Sequence, residues 1–416
     1  MNKMISITFF RDNARWLCTG ILLTFLSSFG QTFFIAQFAS HIQSEFSLSH
    51  GSWGGIYAVG TTASAIVMLW AGGLTDKFRV RTLAPIVFVA LSVTCVAMAL
   101  NASVFVLPFI IFVLRLMGQG MSSHVAMVAM SRWFDATRGR AISIALLGFS
   151  LAEATLPILI IAALTIMAWQ SIWWVAAAAA LVGAPAIMWL LQKERTPQSH
   201  AKTEQSLGMQ KRYWTRSDAL RHPLFWSVVP TIAGLSAFAT AFFFHQIHFT
   251  DIKGWSHLYF VAQIPVYTVV SVAAMLISGW AVDRLGTGAL LPISLLPFAG
   301  GALTFAFAQQ PLAAGFGFAL LGLSSGAFST VISAFWAEYY GTKSIGGIKA
   351  IGSAVMVFGS ALGPLLTGLA IDRGFGFDRQ LVAVAVYFVV TSLILQLAIR
   401  AVRQTETAMS RIADAP

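Results

Sequence analysis

The sequence predicts an all-α polytopic membrane protein, with twelve transmembrane helices in two pseudo-symmetric six-helix halves. Three observations predict this. Hydrophobic residues fill 57% of the 416 positions and charged residues 10%, against roughly 25% charged in an average soluble domain. Apolar stretches of about 20 residues, enough to cross a hydrocarbon core about 30 Å thick, recur along almost the whole chain. Gly72-Gly73-Leu74-Thr75-Asp76-Lys77 also returns as Gly279-Trp280-Ala281-Val282-Asp283-Arg284, an offset of 279 − 72 = 207 residues that superposes Pro85 on Pro292, Gly139 on Gly346 and Pro157 on Pro364. A repeat on this scale marks a duplicated half.

The predicted spans cover residues 15–40, 51–72, 83–100, 103–128, 141–166 and 170–191 in the first half, then 223–247, 256–281, 288–308, 311–336, 345–370 and 379–401. Alternating strands of about ten residues are absent, so a β-barrel is rejected. Met1 to Arg15 lacks a small-residue cleavage site after a short apolar core, and the first helix is expected to be retained. Domain limits follow: a first six-helix half over 1–191, a basic linker over 192–222, a second half over 223–402 and a tail over 403–416. The linker carries ten charges among Pro, Ser, Gln and Thr. Its Lys211-Arg212-Tyr213-Trp214 cluster fits either an anionic inner leaflet or a plain solvated tether.

The net charge of +11 follows loop parity rather than a nucleic-acid surface. The amino terminus, even-numbered connections and tail hold 22 of the 26 Lys and Arg, whereas the opposite side holds only Lys253, Arg373 and Arg379; Arg115 lies within a span. The positive-inside rule therefore places both termini in the cytoplasm. Tryptophans such as Trp16, Trp53, Trp70, Trp169 and Trp280 fall near span ends, at the headgroup level. Cys18 and Cys95 are both intramembrane and imply no disulfide framework.

Two halves, a long basic central loop and the Gly-to-Asp motifs resemble the major facilitator superfamily over nearly the whole chain. That family's loop signature, G-x-L-x-D-R/K-x-G-R/K-R/K, is matched by Gly72, Leu74, Asp76, Lys77 and Arg81, with Arg79 and Val80 departing from it; the second copy keeps Gly279, Asp283, Arg284 and Gly286. At a cytoplasmic helix end, Asp76 or Asp283 can accept hydrogen bonds from a neighbouring helix's amino terminus or pair with loop Arg. The resemblance implies a conformational latch that favours the state closed on the inside; a static ion pair is the structural alternative.

Arg115, followed by Gly118 and Gly120, resembles the family's helix 4 motif. Arg115 and Glu153 both fall near mid-membrane, where an unpaired charge costs several kcal/mol, so each is expected to pair or to face a water-filled cavity. One expectation makes them proton-coupling partners, substrate at Arg115 releasing Glu153 to take a proton; a permanent salt bridge is the other. Gln31, Thr231, Ser236, Thr240, Gln263, Ser324, Ser325 and Ser329 are candidate cavity residues, with Gln31, Thr240, Gln263 and Ser325 joining Arg115 as the expected substrate contacts. Each Ser or Thr also has the bland option of bonding its own backbone.

His245 and His248 sit one helical turn apart, and His41, His50 and His257 also fall toward the outer side. Metal binding is not expected, since no second cluster completes a site; tuning by external pH and scattered interfacial residues both stand as readings. Ser131-Arg132-Trp133-Phe134-x3-Arg138-Gly139-Arg140-Ala141 and Gly341-Thr342-x3-Gly346-Gly347-Ile348-Lys349 resemble bacterial carriers of the monocarboxylate and oxalate-formate group. Those carriers hold carboxylate with a basic residue deep in helix 8, yet residues 259–278 contain no Lys or Arg, and Lys349 can snorkel to water.

The resemblance implies a secondary active transporter of a small solute working by alternating access, with a small organic anion and a proton as the expected substrate and coupling ion. It implies a monomer in the bacterial inner membrane. Export of an amphiphilic or aromatic compound is the rival. No phosphate-binding loop, metalloprotease motif or nucleophile elbow occurs, so no ATPase motor, catalytic residue or cofactor is expected, and a membrane enzyme or channel is disfavoured.

Overall fold

The computed structural model describes residues 7–134, 138–192, 207–341 and 345–413, and every regular element among them is helical. Packing divides the chain into two units, residues 1–202 with 243–248 and residues 203–242 with 249–416.

In the first unit, α1 is built from Ile7–Leu26, Thr32–Ile35 and Ala39–Glu45. It is followed by α2 (His50–Ala71), α3 (Val80–Leu100), α4 (Leu107–Leu114, continued by Arg115–Ser122 and Ser123–Trp133), α5 (Arg138–Ala163) and α6 (Trp169–Leu190). Ser49 starts α2 by accepting the Ser52 N–H at 3.1 Å, which satisfies one of the donors every helix start leaves open. The core of this unit is aromatic: Trp53, Tyr57, Phe34, Phe38, Phe88 and Trp173 are fully buried or nearly so. Phe34 meets Trp173 edge-on at 5.2 Å between ring centroids, an arrangement favoured by the ring quadrupoles.

In the second unit run α7 (Pro223–Phe244), α8 (Ile264–Leu285), α9 (Thr287–Ile293 and Leu296–Phe307), α10 (Ala313–Tyr340), α11 (Ile345–Asp372) and α12 (Phe377–Ala413). Gly286 ends α8 at φ +72°, a left-handed position that glycine occupies without a Cβ penalty. The sequence repeat is also a repeat of boundaries: α3 and α9 start at 80 and 287, α4 and α10 end at 133 and 340, and α5 and α11 start at 138 and 345, each pair 207 apart. Packing partners repeat as well, α3 lying along α6 as α9 lies along α12, and α2 along α4 as α8 along α10.

Among the described residues, ten spans are long and apolar enough to cross a membrane, and the bent pair in α1 makes an eleventh. Residues 50–71 form a 22-residue helix where the second span is expected. The structure corrects the first span, which is not one helix over 15–40. It breaks through a 3-10 turn at Ser27–Gly30 and an extended Gln31 (φ −87°, ψ 154°), and the two pieces are bent by 47°. The last helix continues to Ala413, through residues assigned to the tail.

In the linker cluster Lys211, Arg212 and Tyr213 are exposed, as both expectations have it, but Trp214 is buried. Trp214 is 1% exposed, donates its indole N–H to the Met209 carbonyl at 2.9 Å, and packs edge-on against Tyr340 at 5.4 Å. Arg212 covers its face at 3.8 Å. The reason is an apolar notch beside Tyr340 that accepts an indole better than water does. Linker residues 193–206 lie outside the described residues.

Candidate functional site

The break in α1 sits against the irregular stretch of α4, and glycine makes the approach possible. A Cβ on Gly118 would lie 2.6 Å from the Gly30 Cα and 2.7 Å from the Gly30 nitrogen, so backbone packs directly on backbone. Arg115–Ser122 is wound as a π-helix, a form that occurs mostly as short bulges and often at functional sites. A break in a membrane helix frees carbonyls that lipid cannot satisfy. Here Arg115 satisfies one: its Nη1 donates to the Gly30 carbonyl at 3.2 Å and to the Thr32 hydroxyl at 3.3 Å. Thr32 in turn shares a 2.6 Å hydrogen bond with the Tyr57 hydroxyl, and the guanidinium lies 5.3 Å from the Tyr57 ring centre.

Arg115 is 1% exposed, and its Nε has no hydrogen-bond partner among the described residues. No carboxylate among those residues is within ion-pair distance of it. Glu153, half-buried on α5, is therefore not brought to Arg115 in this structure. Gln31 is 9% exposed and stands in the break itself, with its N–H donated to Ser28 at 2.9 Å.

Most candidates of the second unit are hydrogen-bonded within that unit. Gln263 ties α8 to the connection before α10, its amide donating to the Pro311 carbonyl at 3.0 Å and to Tyr259 at 3.3 Å. Ser324 donates to Ser294 at 2.6 Å, Ser236 to Met356 at 2.6 Å, Thr231 to Val228 at 2.7 Å and Ser329 to Gly326 at 2.9 Å. Thr231 and Ser329 thus bond their own helix in the ordinary intramembrane way, whereas Ser324 ties α10 to Ser294 between the two pieces of α9 and Ser236 ties α7 to α11. Thr240 and Ser325 are half-buried on α7 and α10.

At the loop motifs, Gly72 terminates α2, and its carbonyl lies 3.2 Å from His124 Nε2 of α4 and accepts the Thr75 hydroxyl at 2.8 Å. Lys77 and Arg81 are exposed. The side chains of Asp76 and Asp283 lie outside the described residues. In the second copy, a Cβ on Gly279 would just touch the Thr330 methyl at 4.0 Å, and the Arg284 guanidinium lies 4.2 Å from the Trp280 ring centre. A carboxylate does sit at a helix amino terminus here, but it is Glu338 of α10, accepting the Thr287 N–H of α9 at 2.9 Å. Tyr57, Thr32, His124 and Glu338 were not singled out by the sequence. All four act through backbone groups or through residues distant in the chain, which leave no local pattern.

Three of the histidines expected on the outer side converge. His50 lies 4.4 Å from His248 and 5.9 Å from His245 between ring centroids. Burial, and then the neighbouring His50, lower the His248 pKa from its ordinary value. No group of three or more His, Cys, Asp or Glu among the described residues is arranged to hold a metal ion.

The Major Facilitator Superfamily family model matches residues 20–364. No curated protein sequence matches at a significant level. Among solved structures, the chain is similar to a bacterial homologue of the human lysosomal transporter Spinster in an inward-facing, unoccupied conformation, at 17% identity and TM-score 0.68, covering 94% of this chain and 98% of that one. It is equally similar to the nucleoside transporter NupG, at 14% identity and TM-score 0.68, covering 93% and 98%. At such identities the likeness speaks for the fold, and the family match carries the assignment. The chain belongs to the Major Facilitator Superfamily: it is a multi-pass membrane transporter, not an enzyme.

Proposed function

We propose that this transporter is a secondary carrier of a small organic anion, bound at Arg115 and coupled to protons through Glu153. One observation carries the reading: a guanidinium buried in the membrane-spanning bundle with no carboxylate partner among the described residues. Leaving such a charge uncompensated costs several kcal/mol. Guanidinium offers five N–H donors in a planar fork. Nη1 is committed to Gly30 and Thr32, and the Nε edge remains for a carboxylate, the two-pronged pairing for which arginine is suited. An arriving anion compensates the charge and competes for the group that holds the α1 break closed. Binding is thereby tied to the geometry of a discontinuous helix, as alternating access requires.

Glu153 is suited to the proton because a half-buried carboxyl on α5, the helix packed along α1, changes its affinity when charge arrives nearby. The Gly72 and Gly279 loops, with Asp76, Lys77, Arg81, Asp283 and Arg284, are proposed as the latch that stabilises one conformer. Both termini on the cytoplasmic face of a bacterial inner membrane, and a monomeric carrier, complete the reading.

Counterflow of labelled monocarboxylates in proteoliposomes tests it. Arg115→Met removes the anion's partner without changing the side chain's bulk greatly, and a charge-assisted hydrogen-bonded contact contributes about 1.5–3 kcal/mol. Binding is expected to weaken by roughly 10- to 150-fold. Glu153→Gln is expected to keep exchange while losing proton-driven accumulation. Carboxylate binding undiminished in Arg115→Met overturns the assignment of Arg115.

A further inference from the structure

The second unit contains a cavity of about 340 Å³ between α7, α9, α10, α11 and α12. Its walls are aromatic, with Phe238, Phe242, Phe298, Phe305 and Phe377 among them. Phe242 and Phe305 meet at 4.5 Å between centroids and Phe305 meets Phe318 at 5.3 Å, so the inner wall is a set of rings braced against one another. A cavity with such walls persists when empty, since the rings have no softer packing to collapse into.

Of the three polar residues that line the cavity, Gln380 and Tyr387 are engaged by backbone and Thr367 adds a single hydroxyl. Gln380 donates its amide to the Phe375 carbonyl at 2.9 Å, and the Tyr387 hydroxyl donates to the Pro230 carbonyl at 2.7 Å. A polar solute therefore finds few partners inside, and hydrocarbon fits. A dry cavity of about 150 Å³ holds benzene, so this one has room for on the order of twelve carbons. The mouth lies at exposed Leu366, Phe375 and Ala383, on the surface of helices that stand in lipid.

A second observation concerns charge. Lys253, Arg373 and Arg379, which are the basic residues of the expected outer side, all border this end of the unit. Lys253 is neutralised by Asp378 at 3.0 Å and donates to the Ala306 carbonyl at 2.9 Å, next to the wall residue Phe305. Arg373 and Arg379 flank the Phe375 and Phe377 turn, are exposed, and pair with no carboxylate among the described residues. Arg373 folds back over the last turn of α11, with its Nη1 3.5 Å from the Leu369 carbonyl, above the cavity-lining Leu366 and Ala370. An apolar chamber beneath two exposed arginines that make no ion pair among the described residues is complementary to a molecule with a hydrocarbon tail and an anionic head.

We propose that this cavity is a binding site for a single-chain amphiphilic anion, its alkyl chain among Phe238, Phe242 and Phe305 and its head group at Arg373 and Arg379. The site is lined by residues of the second unit alone and does not rest on the anion-carrier reading. The experiment is photolabelling of the full-length protein in zwitterionic nanodiscs with dodecanoate carrying a diazirine near its methyl end, the adducts being located by peptide mass spectrometry. Adducts are expected on residues 238–242, 302–305 or 384. Ala383→Trp, which blocks the mouth at an exposed position and leaves the bundle's packing alone, is expected to lower that labelling at least about tenfold. Ala302→Phe, which fills the chamber, should do the same where the variant remains folded.

Arg373→Gln with Arg379→Gln is expected to raise the half-saturating dodecanoate concentration about fivefold or more while leaving the matching dodecanol probe unaffected. Competition by phosphatidylglycerol in the nanodisc identifies the source of the head group as a bilayer lipid, and its absence identifies a free carboxylate; both outcomes keep the site. Adducts scattered over lipid-facing residues such as Val386 and Leu393, or wall labelling indifferent to Ala383→Trp, overturn the proposal. Loss of wall labelling in Arg115→Met overturns the independence of the two sites, whereas failed anion transport with intact wall labelling counts only against the carrier reading.

Discussion

Replacing Gly118 by alanine adds one carbon where α1 and α4 touch backbone to backbone. The new Cβ would lie 2.6 Å from the Gly30 Cα, 2.7 Å from its nitrogen and 2.9 Å from the Ser27 carbonyl oxygen. Ordinary contact begins near 3.5 Å, so the helices must separate by several tenths of an ångström, and none of the opposing atoms belongs to a side chain that can rotate away. Overpacking of this kind costs about 1–3 kcal/mol. Gly120→Ala is the internal control, because its Cβ would face the flexible Met68 Sδ at 3.2 Å, and alanine recovers up to about 1 kcal/mol of helix propensity at either position. Gly118→Ala is therefore expected to be less stable than Gly120→Ala by roughly 1–3 kcal/mol, read as a lower thermal midpoint in the same detergent. It should also weaken anion binding, since Gly30 moves with the helix and its carbonyl is an anchor of Arg115. Equal stability of the two variants, or a more stable Gly118→Ala, refutes a backbone contact at the break.

Two further outcomes are expected. The lowered His248 pKa means that below the ordinary histidine value of about 6.5 the unfolded chain binds more protons than the folded one, so this group's contribution to stability falls as pH drops through 6.5 and levels off below the folded pKa; thermal melts from pH 8 to 4.5 should show the fall, and His50→Gln with His248→Gln should make it shallower without abolishing it, since burial also lowers His222. Trp214→Ala removes a fully buried indole from the linker and is expected to destabilise the second unit by about 3–5 kcal/mol; a variant that unfolds like the parent would return the linker to a solvated tether.

The helices were largely legible because lipid imposes a simple rule, apolar length, and because the duplication supplies each boundary twice. The charge of Arg115 was legible for the same reason, as an exception within an apolar run. Its partners were not. The Gly30 carbonyl becomes available only because α1 breaks, and α1 breaks where Gly118, 88 residues away, allows the approach. A lone glycine between Phe29 and Gln31 carries no such information. The loop motifs marked the ends of α2 and α8 but not what packs there, since His124 reaches Gly72 and Glu338 reaches Thr287 from other helices. The carbonyl partners of Gln263 were not legible either, because the Pro311 carbonyl that its amide meets lies 48 residues along the chain.

The π-wound stretch of α4 alters what the repeat means. α4 and α10 end at matching positions and differ by a single residue in length, but wider turns between Arg115 and Ser122 shift the angular phase of everything after them. Each residue of a regular helix advances about 100° around its axis, so even one residue's worth of slippage turns a matched position onto a different face. Beyond the bulge, residues equated by the 207-residue offset, such as His124 and Val331, need not look in equivalent directions. Symmetry in the sequence is then a reliable guide to where helices stop and an unreliable one to what their later turns confront.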